Sequence, residues 1–173
     1  MSAPVIILET ERLRLSTWTE TAVDEVLALH SDPDVSRFLD IKGRAYDRVK
    51  AEARVAEWRR DFAERGLGKQ RLTRKADGAF IGRAGFSIFV GDEPEIGYTI
   101  ARPHWGQGYA SEIAAALLDW LFTTRSEPGA VGFAHVDNAA SRRILEKIGM
   151  RPTHEGMIAD MPHQFYRKDR PSR

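Results

Sequence analysis

Apolar and polar residues alternate near the start of the chain, and the pattern then changes to helical spacing. Residues 12–18 (RLRLSTW) alternate leucine with polar side chains, which predicts a half-buried strand. A helix is predicted next, from Thr19 or Thr21 to Asp32, because the proline after Asp32 disfavours the helical conformation there. The residues expected near one face of that helix are Val23, Val26, Leu27 and Leu29.

A second helix is predicted from about residue 45 to residue 65. Gly66 ends it, since glycine readily takes the left-handed conformation that closes a helix. Its apolar residues are sparse among arginines and glutamates, so we expect a helix on the protein surface. The segment between the two helices, FLDIKGRAY (38–46), is predicted to be a loop. The apolar positions of the second helix are Val49, Ala53, Ala56 and Phe62.

Short apolar runs separated by turn residues occupy the middle of the chain. Residues 70–75 (QRLTRK) and 79–90 (AFIGRAGFSIFV) flank an Asp-Gly pair, which predicts a hairpin because glycine takes the positive φ of its turn. Residues 95–100 (EIGYTI) follow a turn segment with Gly91 and Pro94 and are predicted as a further strand. These runs predict an antiparallel stretch of sheet.

Helices and strands alternate in the last third of the chain. Residues 109–121 carry apolar side chains three and four positions apart, which places one apolar stripe against a sheet. Residues 129–136 (GAVGFAHV) are predicted as a strand and 138–150 (NAASRRILEKIGM) as a helix. Two weaker strands, MRPTHEGM and HQFYRKD, follow with a polar loop between them. This order predicts an α/β domain with a mixed sheet.

Composition limits the classes of function that remain. At 173 residues we expect one domain, spanning residues 1–173 with a flexible tail at about 168–173. The 26 lysines and arginines against 25 aspartates and glutamates leave no net field that would draw the protein to nucleic acid. No segment approaches the roughly 20 apolar residues of a membrane span, so we expect a soluble cytoplasmic protein that binds no membrane.

Few residues of the sequence could support metal or thiol chemistry. Cysteine is absent, which excludes disulfides, zinc-thiolate sites, iron-sulfur clusters and thiol nucleophiles. The five histidines form no HExxH motif or close pair, so no metal centre is predicted.

Two glycines stand in front of the helix in PHWGQGYASEIAAALLDW (103–120). The first amides of a helix lack helical partners, the helix dipole places partial positive charge there, and glycine lets an anion approach the backbone. Gly106 and Gly108 therefore predict a phosphate cradle, although the same glycines could serve only a tight turn. The ending of a P-loop is absent, and Ser111 stands where a dinucleotide fingerprint needs glycine or alanine.

Several motifs in the same order resemble the GNAT superfamily of N-acetyltransferases, and within it the ribosomal-protein N-acetyltransferases and their bacterial relatives. The motifs are EIGYTI, then WGQGYA (105–110) with its amphipathic helix, then VDNAASRRILEKIGM. The resemblance covers nearly the whole chain, beginning at LETERLRL and including IGRAGF. The family's loop pattern, Arg/Gln-x-x-Gly-x-Gly/Ala, maps onto residues 105–110, where Trp105 departs from the usual Arg or Gln.

The resemblance implies a GNAT fold: a mixed, mostly antiparallel sheet of about six or seven strands, about four helices, and a V-shaped split between the strands of Tyr98 and Val136. It also implies acetyl-coenzyme A as the donor. The helix-entry amides would hold its pyrophosphate, and the edge of the EIGYTI strand would pair with the peptide-like pantetheine arm. The implied cofactor-binding residues are Thr99, Ile100, Ala101, Trp105, Gly106, Gln107, Gly108, Tyr109, Ala110, Ser111, Asn138, Ser141 and Arg142.

The resemblance also suggests catalytic residues, each with a simpler structural alternative. Glu95 would serve as the base, often through water in the family, and is otherwise a solvated acid at a strand end. Ser141 would contact the cofactor and act as acid toward the departing thiolate, while Asn138 would at least cap its helix. Tyr98 and Tyr166 are alternative acids, although strand tyrosines more often pack. Arg142 would meet phosphate or adenine, or else face water.

The implied reaction is direct attack of a primary amine on the thioester, without a covalent enzyme intermediate. An α-amine, with a pKa of roughly 7.7 to 8.0, needs less base assistance than a lysine amine near about 10.4. Protein N-termini, amino acids, polyamines and antibiotic amines all remain open as acceptors, with segments 40–46 and 155–164 expected to select among them. The protein is expected to be a monomer or a homodimer. The alternatives are a non-catalytic acyl-coenzyme A binding module and, less favoured, a nucleotide-dependent oxidoreductase.

Overall fold

The computed structural model describes residues 3–39, 46–88 and 90–172. Eight strands and five α-helices occur in these ranges. The strands are β1 (Ile6–Glu9), β2 (Leu13–Ser16), β3 (Gly68–Arg74), β4 (Phe80–Ile88), β5 (Pro94–Ile100), β6 (Gly129–His135), β7 (Arg151–Ile158) and β8 (Met161–Asp169). The helices are α1 (Ala22–Ser31), α2 (Pro33–Ser36), α3 (Arg48–Arg65), α4 (Tyr109–Thr124) and α5 (Ala139–Lys147).

One sheet contains all eight strands, in the order β1-β2-β3-β4-β5-β6-β8-β7. Every neighbouring pair is antiparallel except β5 and β6, which run parallel. The predicted mixed, mostly antiparallel sheet is therefore confirmed. The sheet is larger than predicted because β1, a four-residue edge strand, was not predicted. The extra helix, α2, is a single turn that begins at Pro33.

The main core lies between the sheet and α4. The apolar stripe predicted for this helix is confirmed, with Ile113, Ala114 and Leu117 almost fully buried. Helix α5 adds Leu145 to the same core, which also holds the buried leucines of β2. The first turn of α4 is thereby fixed against the sheet beside the end of β5.

Helices α1 and α3 form a second, smaller cluster on the sheet. Helix α1 agrees with its prediction, since Thr21 is its N-cap and Asp32 its C-cap. The apolar positions named for α3 from the sequence do not form its buried face, since Val49 is 72% exposed. Its buried positions are instead Ala51, Val55 and Trp58, and Trp58 stacks on Trp18 with 5.8 Å between ring centroids.

The two hairpins differ in how well the sequence predicts them. The β3–β4 hairpin turns at Asp77-Gly78 as predicted, and Gly78 has a φ of 71°. The β7–β8 hairpin was expected to contain a polar loop, but only Ala159 and Asp160 separate its strands. Both of these residues have positive φ, which a two-residue hairpin turn of this kind requires.

A flexible tail was predicted at about residues 168–173, but the structure shows ordered contacts through Arg170. Lys168 and Asp169 complete β8. The Arg170 guanidinium then donates to the carbonyl oxygens of Phe122 (2.6 Å) and Glu127 (2.9 Å), which lie at and just after the end of α4. Among the described helices, none is long and apolar enough to cross a membrane.

Candidate active site

Strands β5 and β6 are paired at one position of the ladder and then separate. Glu95 and Val131 are paired, and within the described residues no other pair joins these two strands. A cavity of about 220 Å³ occupies the opening, lined by residues 95–99 of β5 and 133–135 of β6. This opening corresponds to the split that the family resemblance implied, and it connects the two faces of the sheet.

The wall on the α5 side brings together Tyr98, Asn138 and Ser141. Asn138 caps α5, accepting a hydrogen bond from the Ser141 amide at 3.1 Å. The hydroxyl groups of Tyr98 and Ser141 lie 3.2 Å apart. Burial raises the pKa of Tyr98, so its hydroxyl stays protonated at neutral pH. All three side chains line the cavity, which places two protonated hydroxyls at the split.

Arg142 and Tyr166 lie behind that wall and are not among the residues that line the cavity. The Arg142 guanidinium donates to the Tyr166 hydroxyl (3.3 Å) and to the Val136 carbonyl (3.2 Å). Tyr166 is 1% exposed, and its hydroxyl also donates to Glu146. Of the two alternative tyrosine acids, Tyr98 is therefore the one that faces the split.

The glycine loop presents bare backbone in front of α4. Gly106 and Gly108 have φ values of 72° and 79°, which L side chains rarely adopt. Within the described part of the chain, no group accepts a hydrogen bond from the amides of Gln107 to Ser111. Residues 106–108 are exposed, and a Cβ placed on Gly106 would meet nothing within 4 Å. The loop therefore has the free amides and the open space that a pyrophosphate requires.

Trp105 is attached to the strand edge that leads into this loop. Its indole Nε1 donates to the carbonyl of Ile100 at 2.7 Å, and the residue remains 48% exposed. The Ala101 amide already donates to Ile81, while Thr99 is paired with Arg83 on β4. The Ile100 carbonyl keeps its second lone pair for a ligand amide.

An ion pair that was not evident from the sequence links the glycine loop to the segment between β1 and β2. Glu112, in the first turn of α4, accepts from the Thr10 hydroxyl (2.5 Å) and the Arg12 guanidinium (2.6 Å). Arg12 also donates to the Gln107 carbonyl (2.9 Å) and lies over the ring of Tyr109. Burial opposes the charge on Glu112, but these hydrogen bonds outweigh it and hold the pKa of Glu112 below its usual value.

We expect Glu112→Gln to loosen the glycine loop. Replacing the carboxylate leaves Arg12 without its charged partner, so the Michaelis constant for acetyl-coenzyme A should rise about five- to tenfold, consistent with the loss of one charge-assisted hydrogen bond. Steady-state kinetics with varied acetyl-coenzyme A would measure this. Glu9→Gln is the matched control, because Glu9 forms an exposed pair with Arg14 and should change nothing. Equal Michaelis constants for the two variants would contradict the role of the ion pair.

Glu95 lies at the opposite face of the split and is not the solvated acid of the simpler interpretation. It is 7% exposed, and its carboxylate lies 2.9 Å from the ammonium of Lys69, which is 5% exposed. Lys69 also donates to the carbonyls of Gly85 (3.3 Å) and Glu95 (3.2 Å), so all three of its protons have acceptors. Burial lowers the pKa of Lys69, and the Glu95 carboxylate opposes that shift.

Gly97 makes the Lys69–Glu95 pair possible. A Cβ at Gly97 would lie 2.5 Å from the Lys69 ammonium, closer than any real contact. The lysine side chain from β3 therefore crosses β4 and reaches β5 through the space that Gly97 leaves open. Glu95 is fixed at the split by a partner two strands away.

Two histidines face each other on the β6–β8 side of the cavity. His135 and His163 are paired across the strands, with ring centroids 5.6 Å apart. The Nδ1 atom of His163 lies 2.9 Å from the Met161 carbonyl, which can only accept, so Nδ1 carries the proton. In neutral His163 the basic nitrogen is therefore Nε2. Across the described ranges, no three His, Asp or Glu side chains are arranged to hold a metal ion.

The segments expected to select the acceptor are only partly described. Residues 40–45 lie outside the described residues. Segment 155–164 forms most of the β7–β8 hairpin, and Ile158, Met161 and His163 line the cavity. The segment is thus adjacent to the split, on the side of the sheet that carries Glu95.

Solved structures with the same fold indicate the class of protein. An acetyltransferase from Agrobacterium tumefaciens matches with a TM-score of 0.80 and 26% identity, covering 97% of this chain and 95% of that one. RimL, a ribosomal L7/L12 α-N-protein acetyltransferase in complex with coenzyme A, matches with a TM-score of 0.80 and 18% identity, covering 95% and 98%. The fold is that of the acetyltransferases.

The chain belongs to the GNAT acetyltransferase family. The profile of the acetyltransferase (GNAT) domain matches residues 12–151. The protein YkkB of Bacillus subtilis is 33% identical over 151 residues, covering 83% of this chain and 84% of the relative. The N-acetyltransferase YoaA of the same organism is 29% identical over 167 residues, covering 91% and 89%. The resemblance identified from the motifs is confirmed.

Proposed function

We propose that this protein transfers an acetyl group from acetyl-coenzyme A to a primary amine, either the α-amine of a protein N-terminus or a small-molecule amine. The observation that supports this most directly is the cavity through the split, which has the Tyr98–Ser141 wall at one face and Glu95 at the other. A donor from the α5 side and an amine from the Glu95 side would meet there.

The residues of the glycine loop fit acetyl-coenzyme A. The free amides of Gln107 to Ser111 would hold the pyrophosphate, and the carbonyl of Ile100 would accept from an amide of the pantetheine arm. Asn138 and Ser141 would contact the same arm where it enters the split. When bound, the co-substrate supplies the acetyl group as a thioester.

The remaining residues handle protons. An attacking amine must lose one proton, and the cavity wall offers two acceptors, the Glu95 carboxylate and Nε2 of His163. Glu95 would take the proton through a water, since Lys69 already occupies one of its oxygens. The Ser141 hydroxyl, backed by Tyr98, would return a proton to the departing thiolate. Neither role needs a covalent bond to the protein.

Release of free thiol from acetyl-coenzyme A in the presence of an amine panel tests the proposal. We expect amine-dependent release that saturates with both substrates, with masses of the acetylated amines as the second readout. The panel should include N-terminal peptides, amino acids, polyamines and aminoglycosides. Binding of acetyl-coenzyme A without release on any amine would favour a non-catalytic binding module instead.

Thermal unfolding separates the remaining alternative. A ligand at about 100 times its dissociation constant adds about 2.7 kcal/mol to the free energy of unfolding. Coenzyme A should therefore raise the unfolding temperature by several degrees, and NAD(P) should not. Stabilisation by NAD(P) alone would overturn the proposal in favour of an oxidoreductase.

A further inference from the structure

Arg83 lines the cavity on the same face of the sheet as Glu95. It lies on β4 opposite Thr99, beneath helices α1 and α3. Its Nε donates to Nε2 of His30 at 3.1 Å, and its guanidinium carbon lies 5.1 Å from the centre of the Trp58 ring. The arginine is thus held by an imidazole and an aromatic ring rather than by an anion.

The terminal nitrogens of Arg83 have no hydrogen-bond acceptor within the described residues. A guanidinium carries five N–H donors, and the His30 contact uses one of them. Glu95, the carboxylate in the same cavity, already pairs with Lys69. Arg71, its neighbour on β3, shows the contrast, because Glu25 accepts from two of its nitrogens at 2.6 and 2.7 Å. The terminal nitrogens of Arg83 are therefore available to a ligand in the cavity that this residue lines.

The charges around Arg83 do not balance. Burial lowers the pKa of Arg83 to about 10, which still leaves it charged at neutral pH. Burial also lowers the pKa of His30 to about 3, so His30 is neutral and can accept from the arginine. Among the described residues that line the cavity, the lysine, arginine and carboxylate side chains are two cations, Lys69 and Arg83, and one anion, Glu95. Arg83 is half-buried, and a partly desolvated charge without an ion partner is typical of a functional site.

A second polar group beside Arg83 is also unsatisfied. The hydroxyl of Tyr46 is buried and has no hydrogen-bond partner in the part of the chain that the structure describes. Its ring stacks on His30, with 4.6 Å between centroids. Burial raises the pKa of Tyr46, so the hydroxyl is a donor at neutral pH. Unused donors of two side chains therefore lie close together in this corner of the described structure.

We propose that the amine acceptor carries an anionic group, a carboxylate or a phosphate, and that Arg83 binds this group. This inference rests on the proposed acetyl transfer and names the chemical class of its acceptor. The planar guanidinium fork matches both anions with two parallel hydrogen bonds. With the anion held at Arg83, the amine of a small molecule is left to reach the opening between β5 and β6. A cavity of about 220 Å³ suits an acceptor of amino-acid size.

Matched pairs of acceptors test the charge requirement. Alanine and phenylalanine are compared with their amides, and phosphoethanolamine with ethanolamine, by kcat/KM for thiol release. A carboxylate stabilises the ammonium beside it and so leaves less of the neutral amine at a given pH. A preference for the acids would thus oppose their intrinsic reactivity. The phosphate pair shows which of the two anions the site takes.

Arg83→Met isolates the contribution of the arginine. We expect it to lower kcat/KM for the preferred anionic acceptor at least about 30-fold, as truncation of a buried charged contact does, and to change its uncharged partner less than about threefold. Arg83→Lys keeps the charge but loses the planar fork, so its kcat/KM for the anionic acceptor should lie between the values of the native protein and Arg83→Met. Arg14→Met is the matched control, because Arg14 is an exposed arginine on β2 paired with Glu9 and should leave both values unchanged.

A binding measurement separates this inference from the proposed reaction. Calorimetry with N-acetylalanine and N-acetylalaninamide needs no turnover, and only the former should bind, losing its affinity in Arg83→Met. Such binding without any thiol release would overturn acetyl transfer and keep the anion site. A loss of kcat/KM that is equal for acids and amides, or acid binding unchanged by the substitution, would overturn the assignment to Arg83. If Arg83→Met fails to fold, the test uses Arg83→Lys, with the same ratio of kcat/KM between the anionic acceptor and its uncharged partner.

Discussion

We expect Lys69→Met to lose about 3–5 kcal/mol of unfolding free energy, because it leaves the Glu95 carboxylate buried without its partner. The substitution also removes the hydrogen bonds from the Lys69 ammonium to the carbonyls of Gly85 and Glu95, and methionine can form neither of them. Urea-induced unfolding, followed by circular dichroism, would measure the change as a lower midpoint at constant slope. The loss is large because both side chains are less than 10% exposed.

The double variant Lys69→Met/Glu95→Gln tests the origin of that loss. With the charge on Glu95 removed, most of the lost stability should return, since replacing a whole buried ion pair is often close to neutral. Acetyl transfer should not return with it, because the carboxylate is proposed to handle the proton. Lys75→Met, at an exposed lysine that donates to the Thr10 carbonyl, is the control and should cost little. A Lys69→Met variant as stable as the native protein would contradict the buried pair.

Gly108→Val should raise the Michaelis constant for acetyl-coenzyme A by about 10- to 100-fold. At a φ of 79° a β-branched residue is strained by roughly 1–2 kcal/mol or more. A Cβ there would lie 3.6 Å from the Arg12 guanidinium, so the valine branches would displace the arginine that holds the Gln107 carbonyl. The amides in front of α4 would then no longer converge on one anion. Steady-state kinetics and coenzyme A calorimetry would measure the effect.

Gly78→Val is the matched control for this substitution. Gly78 has a similar φ of 71° but lies in the β3–β4 turn, where a Cβ would meet nothing within 4 Å. It should lose stability through the same backbone strain and keep the native Michaelis constant. An unchanged Michaelis constant for acetyl-coenzyme A in Gly108→Val would contradict the proposal that the glycine loop binds the donor.

The fold was predictable where local patterns and tertiary packing agree. The stripe of α4, the Asp-Gly hairpin and the cap at Asn138 each depend on residues close in sequence, and the structure confirms them. The contact face of α3 was not predictable, because alanines and valines occur on more than one side of that helix. Only the meeting of Trp58 with Trp18, 40 positions earlier, selects the buried side.

The candidate site divides in the same way. The glycine loop was visible because its glycines are contiguous and precede a helix. The Lys69–Glu95 pair, Arg83 and the two histidines were not, because they are single residues brought together by strand register or, for Arg83 and His30, by the packing of α1 on the sheet, with partners 26 to 53 positions apart. Gly97 was the available signal, since a glycine inside a strand often marks the close approach of another group.

The single paired position between β5 and β6 has a mechanical consequence. A continuous ladder of hydrogen bonds would fix the angle between the two halves of the sheet, but Glu95 and Val131 provide only a pivot. The stiffness of the cleft must then come from α4 and α5, which contact each other and pack on strands of the two halves of the sheet. Packing changes in those helices would alter the width of the opening, and so the alignment of the two substrates, without touching a residue that lines it.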